Sequence, residues 1–345
     1  MGIGINYYPV WKWKAGEQAA LQSLYDHQWQ AIKPVIEIVD QISVLEFIDA
    51  VTAFPRPIVV DTISNDENGT LLLEILVQAR ARGKKAIPLM YVSDLAAPNR
   101  DMISKADHIV AVIPIPEDME GPSHQTILRA ITSLKDPSHV ELMLDLGMVS
   151  QREQANAAYA MSKLFLNRFE SELLAFSRLI IRCSSFPLQL STVETGSCVP
   201  FPRYDMKIFT KLVMEYAESP LAAKVGFSDL GVTKFTDSEL DFSKLRWGIL
   251  PKVKYTTKDH YVVLKGKRDA ERQLVVRYKD MAQTIVNSDF FYGKDFSFGD
   301  REIYDISLPN KRQGSNANWV TYCANHHIAV VVDELSKLAE TLKQS

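Results

Sequence analysis

Eight short apolar runs alternating with helical stretches predict an α/β chain, a (β/α)8 TIM-type barrel with a β-hairpin and helix inserted between strand 8 and helix 8. Three observations carry this. Residues 5–10, 34–39, 57–62, 86–92, 108–115, 140–146, 179–183 and 224–230 are apolar, rich in β-branched side chains and too short for ordinary helices. Their first residues stand 29, 23, 29, 22, 32, 39 and 45 positions apart, room for one strand–helix unit each time. The runs are nearly continuously apolar, as parallel strands covered on both faces should be. An open doubly wound sheet is the competing topology, but no GxGxxG follows the first run.

The first run leads to Lys12 and Lys14, and helical spacing over 17–29 predicts the first helix. Further helices are expected over 70–82, stopped by Gly83, over 125–134, stopped by Pro137, and over 151–176 and 205–216. The eighth unit is irregular. Residues 247–255 and 260–265 read as a hairpin turned at 256–259, 274–286 as a helix, and 290–298 as an aromatic loop. The barrel is therefore expected to comprise 1–232 and 316–345, with 233–315 forming a basic, aromatic-rich insertion over its C-terminal face. An unbroken helix over 317–344 would be about 42 Å long. Asn325 as an N-cap instead predicts a short helix holding Trp319, then a barrel helix with His326 and His327 in its first turn.

Composition bounds the rest. At 345 residues, 46% hydrophobic and 23% charged, the chain is neither disordered nor a disulfide-rich miniature scaffold. Cys183, Cys198 and Cys323 are odd in number and widely spaced, which fits a reduced, cytoplasmic setting. No secretory pattern opens the sequence, and no uncharged apolar run is long enough for a membrane span. The net charge of −3 points to no partner.

Function in such a barrel sits at the C-terminal ends of the strands. Those ends are polar here: Lys12 and Lys14, Glu37, Asp61, Tyr91 followed by Ser93 and Asp94, Asp145, Arg182 and Asp229. Ionised groups in apolar strands are costly unless paired, so these should meet one another or a ligand. Two readings stay open. One is an internal ion-pair network closing the barrel top. The other is a mixed-charge pocket with carboxylates for a divalent cation or acid–base work and lysines for an anion or as a nucleophile. Spacing puts Lys12 and Lys14 on one strand face if the strand stays regular that far.

Between Arg246 and Lys279, ten Lys or Arg residues stand against three acidic ones. The insertion reads either as a positive lid attracting a phosphate-bearing ligand or nucleic acid, or as a solvated hairpin. Adjacent histidines on a helix point about 100° apart. One of His326 and His327 is thus expected to face the site and the other to pack, with a purely structural pair as the alternative.

Several motifs in order resemble one family. Tyr8-Pro9-x-x-Lys12-x-Lys14-x-Gly16-Glu17, then Ala19-Ala20-Leu21, is similar to the opening of the beta protein family, named after a phage protein. Lys33-Pro34-Val35-Ile36-Glu37-Ile38 resembles its second strand, and Phe227-Ser228-Asp229 a short acidic strand end. Asp295-Phe296-Ser297-Phe298-Gly299-Asp300 resembles its FSWGD-like stretch, and Trp319 with Asn325-His326-His327-Ile328 its closing signature. Val320 stands where the family commonly has Arg, and Cys323-Ala324 where it has Gly-Thr. The resemblance implies members in phages and bacteria, and so, by association, antiviral defence or another role in phage–host conflict.

The leading reading is a cytoplasmic barrel protein that binds a phosphate-containing ligand, a nucleotide or nucleic acid, at its top. Hydrolysis of a phosphoester and use of a divalent cation are left open. Catalytic roles fall to Glu37, Asp145, Asp229 and His326. Ligand contacts fall to Lys12, Lys14, Asp61, Tyr91, Arg182, Asp300, Trp319 and His327. The alternative is a binding or sensor module without chemistry, gripping a protein partner through Phe290, Phe291, Tyr292, Phe296 and Phe298.

Overall fold

The computed structural model describes residues 6–66, 69–95, 105–117, 121–232 and 250–344. The strands are β1 (Asn6–Lys12), β2 (Val35–Glu37), β3 (Ile58–Asp61), β4 (Ala86–Met90), β5 (Ile109–Pro114), β6 (Val140–Met148), β7 (Arg178–Ser184), β8 (Cys198–Pro202), β9 (Val225–Asp229), β10 (Lys252–Thr256), β11 (His260–Lys265), β12 (Lys267–Arg268) and β13 (Leu274–Val276). All but β8, β10, β11, β12 and β13 close into one barrel, in the order β1-β2-β3-β4-β5-β6-β7-β9, and β12 pairs with β13 alone. Neighbours around it pair in parallel. The eight-stranded (β/α)8 barrel is therefore the fold. Between the strands run α1 (Ala15–Gln22), α2 (Asp26–Ala31), α3 (Val44–Thr52), α4 (Thr70–Ala81), α5 (His124–Leu134), α6 (Arg152–Leu173) and α7 (Tyr204–Glu215). Then come α8 (Tyr278–Val286), α9 (Phe298–Ser307) and α10 (Asn316–Gln344).

Local chemistry explains the elements. Helix α3 begins where the Ser43 hydroxyl accepts the Glu46 amide, and it buries Val44, Phe47, Ile48 and Val51 on one stripe. Alternate strand residues Tyr8, Val10, Val35, Val59, Leu89, Val110, Val112, Met143 and Ile180 fill the lumen. Their neighbours, among them Tyr7, Ile36, Val60, Leu142, Ile181 and Phe227, form the thicker layer under the helices. A separate core, built on Val253, Tyr255, Tyr261, Ile285, Ile303 and Trp319, lies between the insertion and the start of the last helix.

Four elements differ from expectation. The first helix is two, because Tyr25 and Gln28 form a capping box that starts α2. The insertion's sheet, ordered β10-β11-β8, takes its third strand from before barrel strand eight. Pro200 and Pro202 hide β8 from a strand reading, yet Pro is tolerated there because β8 is an edge. In the segment read as a helix over 274–286, Leu274–Val276 is strand β13 paired with β12, the helix begins only at Tyr278, and α9 is an added element. Residues 247–249 of the expected hairpin lie outside the described residues, as does Arg246.

The fourth difference is the last helix. Helix α10 does not break at Asn325; it runs 29 residues. The Asn325 side chain is fully engaged elsewhere. Its carbonyl accepts the Gly299 amide at 3.0 Å, and its amide donates to Ala20 O and Ser23 O at 3.2 Å each. It therefore never competes for its own helix backbone.

Candidate functional site

The in-register parallel pairs Lys12↔Glu37, Glu37↔Asp61 and Asp145↔Arg182 set these side chains at similar heights at the strand ends. Each is two residues beyond a lumen-filling residue, so all face inward. Tyr91, just past β4, joins them.

Hydrogen bonds link four of them across the mouth. The Tyr91 hydroxyl donates to Asp61 Oδ2 at 2.8 Å, and Arg182 Nη1 lies 3.5 Å from the same hydroxyl. Arg182 Nη2 donates to Asp145 Oδ2 at 2.5 Å. The remaining carboxylate oxygens accept backbone amides, Asp61 Oδ1 from Ile63 at 3.1 Å and Asp145 Oδ1 from Gly147 at 3.1 Å. Gly147 sits at φ +65°, a conformation that favours glycine, and so brings its amide round to the carboxylate. Glu37, half-buried, accepts the Ser64 hydroxyl at 3.2 Å.

Burial sets the electrostatics. It lifts the Asp61 carboxyl above its ordinary pKa, although the Ile63 amide, the Tyr91 hydroxyl and the Arg182 charge all pull the other way. Burial likewise pushes the Tyr91 phenol up, so it remains a neutral donor. The mouth thus holds three carboxylates (Glu37, Asp61, Asp145) against two cations (Lys12, Arg182). Among the described residues no three His, Cys, Asp or Glu side chains form a ready-made metal site.

Lys14 departs from the expected strand face. Strand β1 ends at Lys12, the Lys14 amide turns back onto Lys12 O at 2.7 Å, and its ammonium pairs with Asp40 at 3.5 Å. Glu17, which the opening motif contains but which sequence reasoning left without a role, is a buried carboxyl raised by desolvation. Lys254, Lys14 and Lys12 act on it electrostatically.

A family model described as Beta protein matches residues 7–333. The chain belongs to the Beta protein family. No curated protein matches it.

In this Beta-family barrel Lys12 and Glu37 of the N-terminal motifs lie at the mouth, but the C-terminal signature residues do not. Asp229 is one residue out of step with inward-facing Ser228 and points to the helix side. It accepts the Tyr7 hydroxyl at 2.7 Å and lies 3.1 Å from His327 Nε2. Asp300, His326 and His327 are likewise fully buried. His326 bridges Asp300 Oδ2 and Thr256 O, each at 2.7 Å, and His327 Nδ1 lies 2.9 Å from Thr256 Oγ1. The expectation that one histidine faces the site while the other packs is corrected: α10 is unbroken, and both rings are enclosed between it, the insertion and the barrel wall. Trp319 stacks on Tyr278 at 4.8 Å and donates Nε1–H to Gln313 O at 2.8 Å.

Glycines complete these seams. A Cβ on Gly299 would fall 2.1 Å from Tyr322 O, and one on Gly16 2.8 Å from Val320 Cγ1. The aromatic loop also turns inward. Phe290 lies against Tyr255, while Tyr292 and Phe296 lie against His326.

Several cations of the basic insertion cap backbone carbonyls. Lys254 donates to Val232 O at 2.8 Å, Lys265 to Val193 O at 2.7 Å, and Arg277 to Leu274 O at 3.0 Å. The first two bonds hold the sheet to the segments after β9 and β7, on the C-terminal side of the barrel. No helix among the described residues is long and apolar enough to cross a membrane.

Proposed function

We propose that the C-terminal mouth of the barrel binds a small phosphate-containing ligand, a nucleotide or a nucleic-acid end. The observation supporting this is the inward convergence of Lys12, Glu37, Asp61, Tyr91, Asp145 and Arg182 from six strand ends. Lys12 and Arg182 supply positive charge for phosphate oxygens, with Arg182 held in place by Asp145. With Asp61 protonated, two carboxylates balance the two cations, so the phosphate's own negative charge calls for a divalent cation to offset it. Hydrolysis of a phosphoester extends the same reading. Glu37 takes a proton from the attacking water, the phosphorus–oxygen bond to the leaving group breaks, and Asp61 returns a proton to that oxygen. Burial suits Asp61 to the donor role, because it favours the protonated form. Asp229 and His326 take no part, since neither touches the lumen. The setting implied by family membership, phage–host conflict in the cytoplasm, is a proposal by association.

Thermal shift tests the reading. Nucleoside mono-, di- and triphosphates, inorganic phosphate and short oligonucleotides are each screened with and without Mg2+ or Mn2+. A bound compound raises the melting temperature by mass action. That rise should vanish in Lys12→Met and Glu37→Gln, which remove half-buried charges, while the ligand-free melting temperature holds. No shift with any compound, or a shift untouched by both variants, would refute the mouth as the site.

A further inference from the structure

Each ring nitrogen of His326 faces an oxygen. Nε2 is 2.7 Å from Thr256 O, a backbone carbonyl that can only accept. Nδ1 is 2.7 Å from Asp300 Oδ2. Turning the ring over would put carbon where nitrogen is, and 2.7 Å is far inside the ~3.3–3.6 Å of a C–H···O contact. Asp300 is itself surrounded by donors. The Tyr255 hydroxyl donates to Oδ1 at 2.7 Å, and the Ser297 hydroxyl donates to Oδ2 at 2.6 Å while accepting the Asp300 amide. A carboxyl group supplied in this way is served as an anion. Both nitrogens of His326 must then donate.

We infer that His326 is held as a doubly protonated imidazolium, ion-paired with Asp300, and that this proton locks the insertion to the last helix. The pair is wholly enclosed. Tyr255 of β10 stacks on the ring at 3.9 Å, Tyr292 meets its edge at 5.4 Å, and Phe296 lies at 6.0 Å. Of the titratable groups on these packed elements, Tyr255 and Tyr292 stay neutral, Tyr292 pushed up to about 12 by burial. Among the described residues, the charged group that touches the ring is Asp300. Neighbouring His327 makes its own contacts, to Thr256, Tyr7 and Asp229.

The lock has a direction. Removing the proton leaves a nitrogen lone pair facing a buried carboxylate, with Thr256 O or Asp300 short of a donor. Docking therefore depends on that proton, and its loss weakens the contact. That loss would loosen α9 and the end of β10 against α10.

Nuclear magnetic resonance of the full chain with 15N-labelled histidine tests the proton count directly. At neutral pH one ring should show two slowly exchanging N–H signals, both absent in His326→Gln. A single N–H at that ring would overturn the assignment, since it means that Asp300 carries the proton or that the pair is neutral. Asp300→Asn adds a second arm. Its side-chain amide can donate to Nδ1, so His326 should become neutral and show one N–H. Limited proteolysis between residues 250 and 315 should rise with pH in the wild type and lose that rise in Asp300→Asn. An identical alkaline rise in both proteins would sink the lock. Should Asp300→Asn not fold, the wild-type signal count alone decides.

Discussion

His327 and Asp229 meet at 3.1 Å on the outer side of the barrel wall, with the Thr256 hydroxyl 2.9 Å from the opposite ring nitrogen. Acid, imidazole and hydroxyl stand in the order of a nucleophilic relay. All three residues are completely buried, so no substrate reaches the hydroxyl. The relay geometry instead pins the β10–β11 turn to the barrel through β9 and α10.

This pin should make stability acid-sensitive. Burial alone raises the Asp229 pKa, but His327, the Tyr7 hydroxyl and the Gly231 amide outweigh it and leave the carboxyl below its ordinary value. A depressed carboxyl contributes stability that is full above its unfolded value, about 3.9, and lost as pH falls through the folded one. Asp229→Ala should lower stability at pH 7 by about 3–5 kcal/mol, because it strands the partners of a buried charge. It should also flatten the acid limb. Urea unfolding from neutral to strongly acidic pH measures both, and an unchanged acid limb would assign that sensitivity elsewhere.

Asp61 should behave in the opposite sense. Its pKa is raised, so its stabilising protonated form is complete only below the unfolded value and is lost as pH rises through the folded one. At pH 7, above the unfolded value, Asp61 therefore costs stability relative to acid pH. Asp61→Asn removes that cost, and the Tyr91 hydroxyl can reverse to suit an amide. A higher midpoint of urea unfolding at pH 7 is expected. A lower midpoint would mean that Asp61 is needed as a charge.

Buried Arg182 and half-buried Asp145 are an ion pair best judged by a double-mutant cycle. Arg182→Met alone leaves Asp145 without its cation and should cost about 3–5 kcal/mol. Adding Asp145→Leu should recover most of that loss, since apolar residues can replace a buried pair at little cost. Additive losses would show that each residue is held by other contacts.

Gly299→Ala probes the seam between the insertion and α10. The new Cβ would lie 2.1 Å from the Tyr322 carbonyl oxygen, a backbone atom that cannot swing aside. Overpacking of this kind costs about 1–3 kcal/mol, occasionally more. Fluorescence of Trp319, stacked on Tyr278 in the same core, should change with it. A variant as stable as the wild type would show that the two helices can separate without penalty.

The barrel was legible in sequence because each strand–helix unit carries its own local signals. Short β-branched runs, helical spacing and stops such as Gly83 predict a strand or helix without knowledge of its neighbours. The inward meeting of Glu37, Asp61, Asp145 and Arg182 was also within reach, since polar groups at strand ends must find partners. What sequence could not decide was the face. Parallel barrel strands are buried on both sides, so alternation carries no label distinguishing lumen from helix layer. Asp229 and Arg182 look alike as charges closing apolar runs, yet a one-residue offset sends Arg182 to the lumen and Asp229 to the outer layer. Asn325 shows the same limit. A helix-capping residue by type, it lies inside an unbroken helix because Gly299, Ala20 and Ser23, all distant in sequence, satisfy its side chain. Local propensity determined the elements; the side each polar group faces was decided by hydrogen-bond partners that only tertiary packing brings within reach.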